Sequence, residues 1–223
     1  MTSPSAEQVA QYLQDNPGFF DAHAELLASI TVPHPHGGRA VSLVERQVDL
    51  LRDKNKALEM RLAELLRIGQ ENDAIADKLQ RWTRDLLRTR DLRQLPDVVI
   101  DGMGSGFSVP HVGLRVWRVD PAYADLSVAA EVEPEVLTLA DSVKQPYCGP
   151  NAEFRAAAWL PGGGSQTRSV ALLPLRVGAA PQAFGLLVLG SPDPSRFQAG
   201  MGTAFLERIA EIASAALSRL IAA

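Results

Sequence analysis

A single cysteine, Cys148, stands in a chain of 223 residues. It excludes an intrachain disulfide and any site built from several thiolates. The N-terminus, Met1-Thr-Ser-Pro-Ser-Ala-Glu7, lacks the basic and apolar blocks of a secretory signal, so a reducing cytoplasm is the expected compartment. The longest apolar stretches, Val170 to Leu175 and Ala183 to Leu189, fall far short of the roughly 20 residues that cross a bilayer, so no membrane span is expected. No charge of one sign dominates: the net charge is −4, with 13 basic and 14 acidic residues up to Arg93 and 9 and 12 beyond it. That balance gives no basic half to advertise nucleic acid. Gly162-Gly163-Gly164 lacks the Gly-Lys-Ser/Thr that a phosphate-binding loop needs and leads through Ser165-Gln-Thr-Arg168 into a strand, so a flexible loop is the expectation there.

What is present is helical for the first 93 residues. Glu7 to Leu13 puts Val9, Tyr12 and Leu13 on one helical face, and Asn16-Pro17 has the chemistry of a second helix start, with Phe19, Phe20, Leu26, Leu27 and Ile30 following. Helices this short need a partner surface. The run Pro33-His-Pro-His-Gly-Gly38 breaks the chain, and Ser42-Leu-Val-Glu45 then reads as a capping box that opens a long helix. Val44, Val48, Leu51, Asn55, Leu58, Leu62 and Leu65 alternate in steps of four and three, the spacing that keeps one seam facing a partner helix. Asn55 falls at an a position, where an amide fixes register at some cost in stability. After Leu65 the seam slips, with Gly69 at the slip, and Ile68, Asn72, Ile75, Leu79, Trp82 and Leu86 form a second stripe. A helix continuous to Leu92 would be about 75 Å long, too long for one small domain to bury. A homodimer held by the Val44 to Leu65 seam is therefore expected; a hairpin with the N-terminal helices is the competing arrangement.

Beyond Leu95-Pro96 the pattern changes. A helix opened by Pro96 carries Val98, Val99 and Met103 and stops at Gly104 and Gly106. Val112 to Val119 alternates as a strand, and Leu126 to Val132 reads as the next. A helical piece from Pro134 to Val143, a turn over Gln145-Pro-Tyr-Cys-Gly-Pro150 and a helix from Ala152 to Leu160 are expected to follow. Ser169 to Val177 and Ala183 to Gly190 read as two strands joined by a turn, before a closing helix through Phe205, Ile209, Ile212, Ala216 and Leu220. This order suits an α+β fold: an antiparallel sheet with flanking helices, preceded by an all-helical N-terminal region with a long coiled-coil-like helix. The expected divisions are 1–40 for the short helices, 41–93 for the dimerisation helix and 94–223 for the sheet domain.

Ser169-Val-Ala-Leu-Leu-Pro-Leu-Arg-Val177, Phe184-Gly-Leu-Leu-Val-Leu-Gly-Ser191, Arg196-Phe197 and the alanine-rich helix through Ile212-Ala-Ser-Ala-Ala-Leu217 closely resemble the end of a GAF domain. Tyr12-Leu-Gln-Asp-Asn-Pro-Gly-Phe-Phe20, Val41-Ser-Leu-Val-Glu-Arg-Gln47 with Leu51-Arg52, and Tyr147-Cys-Gly149 narrow the match. Together they resemble the bacterial family known as domain of unknown function 484. The resemblance covers nearly the whole chain and implies a GAF-like fold behind a helical N-terminal region. Genes of that family often neighbour a tyrosine recombinase gene, an association that points to a chromosome-related context without supplying a mechanism.

Candidate chemistry is sparse. His34 and His36 flank Pro35, with His23 nearby, but two histidines without cysteine or clustered carboxylate make a poor zinc site, so exposed imidazoles on a turn are expected and no metal or other cofactor. Cys148 has no local base or orienting group, as a thiolate nucleophile would need. The redox cycle of GAF-type methionine sulfoxide reductases uses more than one cysteine, and the Asn-Lys-x-Phe-Asp-Glu pattern of cyclic-nucleotide GAF domains is missing. Arg81, Arg84 and Arg88 share a helical face, yet Asp85 and Asp91 interleave and only Trp82 could stack on a base, which favours a solvated ion-paired face over nucleic acid. No enzyme is expected. The expectation is a sensory or regulatory module binding a small molecule at Trp117, Tyr147, Cys148, Trp159 and Arg168, aromatic walls with a few polar groups, and relaying to a partner through the helix. The alternative is a protein-protein interaction scaffold whose pocket is vestigial.

Overall fold

The computed structural model describes residues 4–33, 40–178 and 180–222, and side chains outside 27–29, 31–33 and 40–45. His34 and His36 lie outside the described residues, and the side chains of the Ser42-to-Glu45 capping box, Val44 included, lie outside the described side chains. The chain forms two compact units, Met1–Asn72 and Asp73–Ala223.

In the first unit, helix α1 (Ala6–Asp15) opens with Ser5, whose hydroxyl accepts from the amide of Gln8 while Gln8 accepts from the amide of Ser5, a reciprocal cap. The single second helix expected after Pro17 is two short ones, α2 (Phe19–Ala22) and α3 (Ala24–Ser29), because His23 leaves helical geometry at φ −129° and ψ 44°. Phe19 gathers Tyr12, Phe20 and His23 around its ring at 5.9, 5.3 and 4.6 Å. Strands β1 (Thr31–Pro33) and β2 (Ala40–Ser42) pair antiparallel. Helix α4 (Leu43–Arg88) is the long helix, and every residue from 50 to 74 in it is exposed. It ends before Leu92: the hydroxyl of Thr89 turns back to the carbonyl of Asp85, and a 3-10 turn at Leu92–Gln94, capped by Asp91, intervenes.

The second unit is built on a sheet of β3 (His111–Val116), β4 (Tyr147–Pro150), β5 (Ser169–Arg176) and β6 (Ala183–Ser191) in the order β3-β6-β5-β4, antiparallel throughout. β5 and β6 are apolar runs rather than alternating ones because both of their faces are covered. One face packs on the end of α4, on α5 (Leu95–Asp101) and on α7 (Ala204–Leu217), burying Leu79, Trp82, Leu86, Val99, Leu173 and Ile209 in one cluster. The other packs on α6 (Pro134–Ser142) and a 3-10 segment at Arg155–Trp159. Of the second stripe, Leu79, Trp82 and Leu86, with Ile75 packed against them, are part of this unit's core, in the same cluster as Leu206, Ile209 and Leu217, whereas Ile68 and Asn72 are exposed.

Three expectations are corrected. Leu126 to Val132 is a 3-10 turn at Ser127–Ala129 and loop rather than a strand: only Val128 of its alternating apolar residues is buried, so period two gains it no second covered face. The segment expected as a turn over Gln145 to Pro150 contains β4, which pairs Cys148 with Ala171 at the sheet edge, where Pro150 is tolerated at the strand end. The helix expected over Ala152 to Leu160 shrinks to the 3-10 segment, after Glu153 takes the left-handed conformation at φ 56°.

Candidate functional site

Adjacent residues of a strand point to opposite faces of the sheet, and this separates the residues expected to line one pocket. Tyr147 packs against the α6 face, edge to face with Phe154 at 5.4 Å. Its neighbour Cys148 is buried in the cluster under α5 and α7 instead. Burial pushes the Cys148 thiol above its ordinary pKa by desolvating the thiolate, the opposite of what a nucleophilic or redox-active cysteine needs. Trp117 and Trp159 join Tyr147 on the α6 face. The Trp117 indole donates to the carbonyl of Ala183 at 2.8 Å, and the guanidinium of Arg115 sits 5.6 Å from the Trp159 ring centre. Arg168 is exposed; its backbone amide donates to Ser191 at 2.8 Å and its carbonyl accepts from Asn151 at 2.9 Å. Three of the five residues therefore share a face.

That face is closely packed. Val136, Ala140, Ala156, Ala157 and Leu160 meet Val170, Leu172, Leu186 and Val188 with every side chain buried. A Cβ at Gly113 would come within 3.1 Å of the Trp159 Cβ, and one at Gly190 within 2.7 Å of Leu160. Glycine lets the covering segment lie this close to the strands; a side chain at either place would push Trp159, Leu160 or Thr167 aside.

Polar groups that no local signal in the sequence links converge at the edge of this cover. Asn151 donates from its side chain to the carbonyl of Thr167 at 3.2 Å, and the Thr167 hydroxyl meets His111 Nδ1 at 2.7 Å. The partners are 16 and 56 residues apart in sequence. Asn151 and Thr167 border a cleft of about 740 Å³, lined also by Glu153, Phe154, Arg155 and Ser165. The triple glycine forms one rim, with Gly162, Gly163 and Gly164 all at positive φ. A second cleft of about 590 Å³ lies where α7 meets the end of β5, lined among others by Lys144, Arg176, Glu207, Glu211 and Ser214. Arg176 is committed elsewhere, donating to the carbonyls of Ala140 and Val143 at 2.7 and 2.8 Å and to Pro181 at 3.3 Å. Among the described residues no group of three or more His, Cys, Asp or Glu could hold a metal ion.

The α4 stripe has the opposite character. Val48, Leu51, Leu58, Leu62 and Leu65 are 39% to 65% exposed, and Asn55 between them is exposed too. Leu66 and Ile68, at flanking e and g positions, border this surface and are exposed too, while the exposed Leu50 and Met60 lie on the opposite side of the helix. Farther along, Arg81, Arg84 and Arg88 are exposed, but Trp82, the aromatic beside them, is buried and unavailable to stack on a base. Among the described residues no helix is long and apolar enough to cross a membrane.

Relatives from Salmonella typhimurium and Escherichia coli, each called uncharacterized protein YigA, are 26% identical to the chain over 242 residues, spanning 99% of it and 94% of the relative. Among solved structures, the chain is similar to the GAF domain of a phosphoenolpyruvate-protein phosphotransferase from Acinetobacter (16% identity, TM-score 0.46, 65% of this chain and 92% of that one). It is also similar to the GAF domain of the corresponding protein from Coxiella burnetii (14%, TM-score 0.49, 65% and 93%). A free methionine-R-sulfoxide reductase from Neisseria meningitidis, solved with its substrate, is similar at 15% identity and a TM-score of 0.44, over 65% of this chain and 88% of that one. The family model described as protein of unknown function, DUF484, matches residues 2–222, and the chain belongs to that family.

Proposed function

We propose that this chain is a non-enzymatic regulatory module that works as a homodimer in the reducing cytoplasm, associating through the α4 stripe and presenting its sheet unit to a further protein. The observation that carries the reading is the exposure of Val48, Leu51, Leu58, Leu62 and Leu65, a regular apolar row that no described side chain of the chain covers. Contiguous apolar surface of this kind on a soluble protein marks an association site, and a stripe in steps of four and three fits another helix. The buried, unactivated Cys148 supports the non-enzymatic part. The close packing under α6 favours interaction over ligand sensing. A sensing role has one specific support, the polar cleft beside Asn151 and Thr167, suited to a small molecule with hydrogen-bond donors and acceptors.

The test replaces Leu51, Leu58 and Leu62 together with glutamine in the full chain. The expected product is a monomer whose tryptophan emission keeps the wavelength of the unaltered chain, since the core of the second unit does not use these residues. An oligomeric state equal to that of the unaltered chain would reject the reading. A small-molecule thermal-shift screen addresses the second reading, with saturable stabilisation abolished by Asn151→Ala as the supporting result.

A further inference from the structure

We infer that the occupant of the α4 stripe is a second copy of this chain lying parallel and in register, set by Asn55 and by an ion pair between Lys54 of one protomer and Glu59 of the other; this rests on the association proposed above. With Val48, Asn55 and Leu62 at a and Leu51, Leu58 and Leu65 at d, the flanking g positions are Gln47, Lys54 and Arg61, and the e positions are Glu45, Arg52, Glu59 and Leu66. In a parallel pair each g residue faces the e residue five positions on in the partner helix, which brings together Gln47 with Arg52, Lys54 with Glu59 and Arg61 with Leu66. No like charges meet. In an antiparallel pair g residues face g residues, so Lys54 and Arg61 would confront the same basic set on the partner.

Within the chain, Lys54 and Glu59 have no ion-pair partner among the described residues, whereas some neighbouring charges are already used: Arg52 pairs with Asp49 at 3.6 Å, and Arg67 with Glu64 at 2.7 Å and with Glu71. Arg46, Asp53, Lys56 and Arg61 are likewise unpaired among the described residues, but of these charges only Lys54 and Glu59 stand at g and e positions five apart with opposite sign, the pair that a parallel second copy would match. Asn55 adds the register. Two amides meeting at one a layer satisfy each other, while a shift by a heptad would set each against leucine or valine. The consequence is polar order: both protomers' sheet units lie at the same end of the paired helices, so a single partner molecule can meet two copies of the same surface.

The experiment is disulfide trapping in the full chain carrying Cys148→Ser, with Leu51→Cys and Leu65→Cys made as separate variants and oxidised mildly, alongside sedimentation of the same samples. An antiparallel pair can bring only one of these positions opposite itself; a parallel in-register pair brings both. Crosslinking of each variant with itself is the expected result. Dimers by sedimentation in which one or neither variant crosslinks overturn the parallel arrangement and leave the association standing. Monomers throughout overturn both. A charge exchange gives an independent measure: Lys54→Glu is expected to weaken the dimer about five-fold and Lys54→Glu with Glu59→Lys to restore it. Failure of the double variant to recover overturns the Lys54–Glu59 pairing.

Discussion

The indole of Trp82 lies against the backbone of Gly102, so closely that a Cβ on residue 102 would overlap the five-membered ring, and its Nε1–H donates to the carbonyl of Val98 at 3.2 Å. This contact locks the end of α4 to α5. Gly102 is at φ −60°, an ordinary helical value, so the need for glycine there is one of space and not of backbone freedom. Gly102→Ala should cost about 1 to 3 kcal/mol of stability through overpacking, read by urea unfolding followed by tryptophan emission. Combining it with Trp82→Phe should recover part of the loss, a coupling a double-mutant cycle measures. Strict additivity would show that the two residues do not share this contact.

Arg176 holds the end of α6. Its guanidinium reaches the carbonyls of Ala140 and Val143, acceptors that a helix terminus leaves without intrahelical donors, and the Pro181 carbonyl as well. Lysine has no planar fork to make these bonds together. Arg176→Lys is expected to destabilise the second unit by about 1 to 3 kcal/mol, with faster amide exchange over 134–143. Unchanged exchange there would contradict the role.

Cys148 should behave as a buried thiol. Disulfide exchange with an aromatic disulfide reagent at neutral pH is expected to be at least about ten-fold slower in the folded protein than in urea. Because burial raises the folded thiol's pKa above the unfolded value, its contribution to stability is present in full below the ordinary thiol range and is lost as pH rises toward the folded value. Cys148→Ala should flatten that alkaline decline. Equal reactivity in folded and unfolded protein would place the sulfur at the surface.

The parts of the fold legible in the sequence are those whose residues signal locally. β5 and β6 announce themselves because both faces are covered and almost every position is apolar, and α7 because its apolar residues repeat at helical spacing. Leu126 to Val132 misleads because its alternation is real but only Val128 finds a buried site; Pro121 opens a 3-10 turn before it, a second 3-10 turn takes Ser127–Ala129, and Pro134 opens α6 after it. β4 hides behind Pro146 and Pro150, which read as a turn, and is created by pairing with β5, about 20 positions further along the chain. The same limit governs the candidate site. Trp117, Tyr147 and Trp159 share a face because β4 pairs with β5 and the 3-10 segment Arg155–Trp159 folds over the sheet, whereas Cys148, next to Tyr147, points the other way once that segment is a strand. The contact of His111 with Thr167 and the anchoring of Asn151 depend on chain closure alone, and no periodicity foretells them.

The central claim is that the exposed α4 stripe is an association surface, and sedimentation equilibrium of the unaltered full chain across the micromolar range tests it most directly. The account predicts a concentration-dependent monomer–dimer equilibrium with twice the 24.0 kDa chain mass as its upper limit. A single monomer mass that persists to high micromolar concentration would contradict it.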